Sequence, residues 1–153
     1  LDEELTWSVI DGCAVLACWP ERNLTVAKVH LAPGSGAAAT RLTQLRAVIQ
    51  QATTDDLVII GDTNTRTAEE AAAAALGLDA PRPPRPTWDG RRNPFHGPAG
   101  DFVAYFTRAF TAGSATIVDQ IGRPGRVSVD ATAFHLSDHF ALEVTVETGG
   151  TGG

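Results

Sequence analysis

The sequence predicts an α+β domain, with two helices lying on a largely antiparallel sheet, and three observations carry that expectation. Two apolar, β-branched runs, Gly12 to Trp19 and Leu24 to Leu31, flank the string Pro20-Glu21-Arg22-Asn23, the pattern of a hairpin. After the breaker string Pro33-Gly34-Ser35-Gly36, Leu42, Leu45, Val48, Ile49 and Ala52 recur on one helical face. Near the end, Phe140, Leu142, Val144 and Val146 alternate with Ala141, Glu143, Thr145 and Glu147, as in a half-buried strand.

The remaining elements follow in order. Arg41, Gln44 and Gln51 fall on or near the polar face of the first helix, which Thr53-Thr54-Asp55-Asp56 ends. Leu57 to Ile60 is a continuous apolar run, suited to a strand covered on both faces, and it stops at Gly61-Asp62-Thr63-Asn64. Thr67 and Glu70 have capping-box spacing for a second helix through the alanine run, closed by Gly77. Pro81 to Gly100 carries six prolines and predicts a long surface loop. Phe102 to Phe110, Ser114 to Ile121 and Arg126 to Asp130 read as strands. The pattern predicts one domain over residues 1–148 and a flexible Gly-rich tail over 149–153.

Composition bounds the function. With 153 residues and 43% apolar content, the chain can bury a core, which excludes general disorder. No apolar run approaches a membrane span, and no charged-then-apolar leader is present. Leu1 and the lack of methionine suggest a processed, excised or recombinant start. A net charge of −6 weakens the case for nonspecific nucleic-acid binding, which rests on phosphate neutralisation. Cys13 and Cys18 read as separate buried thiols, which favours a reducing compartment and a cytoplasmic location.

Polar groups stand where strands end: His30, Asp62 with Asn64, Asp101, and Asp138 with His139. Sheets present functional groups on such loops. Carboxylate and carboxamide oxygens suit Mg²⁺ or Mn²⁺ rather than zinc. Such an ion screens phosphoryl oxygens and positions an attacking water, and His139 could donate to the phosphate. Taken singly, an Asp after a buried strand is more often a turn residue, and a His at a strand start more often packed or solvated. His96 and His135 keep that bland reading.

The order of the pieces points further. Val29-His30-Leu31, Arg41 with Gln44, Ile59-Ile60-Gly61-Asp62-Thr63-Asn64, Pro86-Thr87-Trp88, Gly100-Asp101-Phe102-Val103 and Leu136-Ser137-Asp138-His139-Phe140 run in sequence. Together they resemble the signatures of the endonuclease/exonuclease/phosphatase family, the deoxyribonuclease-I-like metal-dependent phosphoesterases. The resemblance implies a partial two-layer β-sandwich and hydrolysis of a phosphodiester or phosphomonoester with Mg²⁺ or Mn²⁺. It makes Asp62 the group that orients or deprotonates water, and Asn64 a holder of that water or of the phosphate. His139 and His30 would contact phosphate, Asp101 would fix the His139 ring, and Asp138 would join Asp62 and Asn64 at the metal.

The family also opens with a strand carrying an Asn and then a metal-binding Glu, and neither has a match before the hairpin. Thr63 and Phe102 replace the usual aromatic residues. The chain thus resembles the C-terminal portion, short of the about 200–250 residues common for two-sheet domains. An apolar sheet face would then be exposed unless a second copy or the missing N-terminal segment covers it. Substrates of this kind are small phosphoesters, lipid headgroups or nucleic acid, and Arg82, Arg85, Arg91 and Arg92 could serve the last. The alternative is a noncatalytic binding or assembly module derived from the enzyme fold. A calcineurin-type phosphoesterase lacks its acid at Thr65, no Gly-x-Ser-x-Gly elbow surrounds Ser35 or Ser114, and Gly122-Arg123-Pro124-Gly125 is no P-loop.

Overall fold

The computed structural model describes residues 4–80, 87–88, 102–108, 111–118, 126–129, 132–135, 139 and 141–147. Its main sheet has five strands in chain order: β1 (Thr6–Ile10), β2 (Ala14–Trp19), β3 (Leu24–His30), β4 (Asp56–Arg66) and β5 (Phe102–Arg108). Among the described strand pairs only β3 and β4 run parallel, joined by helix α1 (Ala38–Gln51). A parallel pair needs such a crossover. Helix α2 (Glu70–Ala74) follows β4. Two antiparallel pairs complete the described strands: β6 (Thr111–Val118) with β9 (Ala141–Glu147), and β7 (Arg126–Val129) with β8 (Thr132–His135). The α+β class stands as expected from the sequence.

Register shows how the sheet divides its residues. Leu16, Ala27, Ile59 and Phe106 lie opposite one another across four strands, and all belong to the core. Leu45 and Val48 of α1 join that cluster, each burial contributing roughly 2 kcal/mol. The next row, Val9, Val15, Lys28, Ile60 and Tyr105, projects from the opposite face. Burial there rises across the sheet. Trp7, Val9 and Val15 are 66%, 70% and 39% exposed near the β1 edge, whereas Val58, Tyr105 and Thr107 are buried.

Several expectations change. Strand β1 joins β2 through a turn with Gly12 at φ +70°, so the hairpin is the inner part of a three-stranded meander. Gly61 to Asn64 lie within β4 rather than beyond its end. What stops there is the ladder: β3 pairs with β4 only to His30 and Asp62, and the β4–β5 register shifts between Ile60 and Thr65. The capping box does not form. A 3₁₀ turn over Thr67–Glu69 precedes α2, so neither Thr67 nor Glu70 has its capping position, and no side chain caps either N-terminus. Gly77 does close the helix, at φ +77°, with Leu78 N–H bonding Ala73 O and Gly77 N–H bonding Ala74 O, a Schellman motif. Arg41 is buried, not on a solvated face.

Candidate active site

His30 is the last residue of β3 and Asp62 its direct partner on β4, so both side chains leave the face turned away from α1. His139 pairs with Trp88 in an isolated antiparallel bridge. These three points of the chain meet. Asp62 Oδ2 lies 3.7 Å from His30 Nε2 and 3.5 Å from His139 Nε2. Both spacings exceed a good hydrogen bond, and both fall in the range of an ion pair when the imidazole is protonated.

The other oxygen of the carboxylate is held by the backbone. Asn64 takes the left-handed conformation, φ 49°, and its N–H donates to Asp62 Oδ1 at 3.1 Å. An asparagine adopts this conformation more readily than a β-branched residue. Its carboxamide nitrogen donates to Leu31 O at 3.0 Å, so any chemistry falls to the carboxamide oxygen. Thr63 points the other way, is buried, and bonds to Thr65 and to Val103 O.

Gly61 permits the close approach of the strands. A Cβ there would collide with the Val29 carbonyl, and its φ of +133° is foreign to side-chain-bearing residues. The segment after His30 is held as tightly. Leu31 N–H donates to Asp62 O at 2.9 Å. Gln44 Oε1 accepts from Ala32 N–H at 2.9 Å, and Arg41 Nη1 donates to Ala32 O at 2.7 Å and Gly34 O at 2.8 Å. Arg41 also forms a two-point pair with Glu69, at 2.9 and 2.6 Å.

Of the residues singled out from sequence, the structure brings His30, Asp62, Asn64 and His139 together. Asp101, Asp138, His96, Arg82, Arg85, Arg91 and Arg92 lie outside the described residues, as does the 149–153 tail. Sequence reasoning gave no role to Glu69. It named Trp88 only as part of a motif, without seeing that it adjoins His139. Cys13 and Cys18 are both free and buried.

A carboxylate flanked by two imidazoles can take a proton from water and orient an adjacent imidazolium. It is not by itself a magnesium site, which wants more oxygen ligands. Among the described residues no group of three or more His, Cys, Asp or Glu side chains is arranged to hold an ion.

No protein-family description and no curated protein sequence matches the chain. Solved structures do. Humanized D. rerio TDP2 superimposes with a TM-score of 0.57 at 19% identity, over 95% of this chain and 66% of that one. Beta toxin from Staphylococcus aureus with bound magnesium ions gives 0.63 at 15%, over 88% and 57%. Sphingomyelinase C from Streptomyces griseocarneus gives 0.57 at 18%, over 84% and 55%. The shared feature is the deoxyribonuclease-I-like fold, which this chain has. The chain spans between about half and two thirds of the length of these neighbours.

Proposed function

We propose that this chain carries the phosphate-side machinery of a metal-dependent phosphoesterase, hydrolysing a phosphodiester or phosphomonoester. The observation that supports it is the meeting of Asp62 Oδ2 with the Nε2 atoms of His30 and His139 at one mouth. In this reading Asp62 takes the proton of a water whose oxygen attacks phosphorus as the ester P–O bond breaks. His139 and His30 donate to phosphoryl oxygens, which gather charge as the reaction proceeds. Asn64 holds the Asp62 carboxylate in place, and Asp101 would fix the His139 ring.

Mg²⁺ or Mn²⁺ is part of the proposal, with Asp62, Asn64 and Asp138 as candidate oxygen ligands. The magnesium-bearing beta toxin supports the choice of ion. The substrate is a small phosphoester, a lipid headgroup or nucleic acid. Sphingomyelinase C and D. rerio TDP2 complexed with single strand DNA product, both of similar fold, support the last two classes, and the net charge of −6 favours the first two. Exposed Trp7, Val9 and Val15 support a further segment or a second copy covering that half of the sheet.

The test is hydrolysis of a chromogenic phosphodiester with Mg²⁺ or Mn²⁺ by the wild type and by Asp62→Ala and His139→Ala. Loss of a few orders of magnitude in the Asp62 variant supports the enzyme. Equal background rates in all three would leave a noncatalytic binding or assembly module built on the same fold.

A further inference from the structure

We propose that Arg41, Glu69 and Gln44 are positioning residues that set the direction of the Asp62 carboxylate from behind the sheet. Arg41 is wholly buried on the core-facing side of α1, four and seven residues before Leu45 and Val48, where an arginine is rare. A buried ion pair costs about as much in desolvation as it returns in attraction, so stability alone does not account for it. What the guanidinium supplies is a fixed planar fork of donors.

The fork is used on both sides. Nε and Nη2 grip the two oxygens of Glu69, while Nη1 serves the carbonyls of Ala32 and Gly34. With Gln44 accepting its N–H, Ala32 has both backbone groups clamped by side chains of one helix. The next peptide inward belongs to Leu31. Its N–H bonds the Asp62 carbonyl, and its own carbonyl accepts from the Asn64 carboxamide. Asn64 then ends the relay, its N–H fixing Asp62 Oδ1 and leaving Oδ2 toward the imidazoles. The chain of contacts thus runs from the Glu69 carboxylate to the Asp62 carboxylate through directed hydrogen bonds, and His30 precedes Leu31 on the same anchored segment. The hydrogen bonds of Arg41, Gln44 and Glu69 run to Ala32, to Gly34 and between Arg41 and Glu69, so their effect on Asp62 passes through this segment.

The kinetic part of this inference rests on the phosphoesterase reading; the geometric part does not. The experiment therefore reads both on the full chain. Imidazole proton–carbon correlations of His30 and His139 are recorded at one pH for wild type, Asp62→Asn, Glu69→Gln and Gln44→Leu, with kcat and KM on the chromogenic diester. Asp62→Asn defines how the two signals respond when the carboxylate is lost. Glu69→Gln is expected to move both signals part of the way in the same direction, and to lower kcat about tenfold or more with KM nearly unchanged, since small misplacements act on the reacting geometry. Gln44→Leu removes only the acceptor for Ala32 N–H, and gives the same reading if Glu69→Gln does not fold. Unmoved imidazole signals in a folded variant overturn the proposal, as does an active wild type whose kcat survives the substitution. A wild type without activity removes the phosphoesterase reading, and the spectra alone then decide the positioning role.

Discussion

Tyr105 is buried in β5, and its hydroxyl has no hydrogen-bond partner among the described residues. A desolvated hydroxyl of that kind costs free energy, so Tyr105→Phe should be neutral or stabilising by up to about 1 kcal/mol in urea melts. Burial also pushes the phenol up to about 12 from its ordinary 10.0. Because the folded value is the higher one, its contribution is fully present below the unfolded value and is lost as pH rises through 10 toward 12. Stability should fall across that window by on the order of 2 kcal/mol, and the fall attributable to this group should vanish in Tyr105→Phe. Gly61→Ala is expected to cost about 3 kcal/mol or more, since the added methyl meets the Val29 backbone in a conformation alanine avoids. His30, Asp62 and His139 were legible in the sequence because they end or interrupt apolar runs within recognisable signatures. Arg41 was legible as part of a signature with Gln44, but its charge led to the polar face being assigned to it. Its spacing from Leu45 and Val48 sets it on the core side, and Glu69 supplies the partner that burial requires.

The elements were legible where one period dominates. Helix α1 and the closing strand β9 stand close to their expected spans. Strand β1 escaped notice because Trp7 and Val9 are exposed and, of its apolar residues, Ile10 alone packs against the core, so no core-facing run announces it. The end of β4 was misjudged for a different reason: Gly-Asp-Thr-Asn is turn-forming chemistry, and here it breaks a register inside a strand that resumes as Thr65 and Arg66 pair with Val103 and Phe102. The 3₁₀ turn before α2 ends at Glu69, which pairs with Arg41, 28 residues earlier, a contact no local pattern encodes. Glu69→Ala should therefore destabilise by about 3 kcal/mol or more, because it strands a buried guanidinium. Thermal melts beside Glu21→Ala, at an exposed carboxylate, would check this; equal small effects would mean that the buried pair does not hold this turn.

At the scale of the molecule, two faces of one sheet have different tasks. The face under α1 and α2 holds the core and, through Arg41, Gln44 and Leu31, the anchor of the site. The other face carries His30 and Asp62 at one end of the β3–β4 pair and leaves Trp7, Val9 and Val15 open toward the β1 edge. If a second copy covers that edge, Val9→Lys should shift sedimentation from dimer to monomer while leaving the melting profile nearly unchanged. Phosphoester hydrolysis as proposed requires His30, Asp62 and His139, distant along the chain, to work as one site. That is tested most directly by a double-mutant cycle on the phosphodiester hydrolysis rate, with Asp62→Ala, His139→Ala and both together. Groups that act as a unit give a double variant no slower than the slower single one. Losses that multiply would mean that Asp62 and His139 act independently, and would contradict the account.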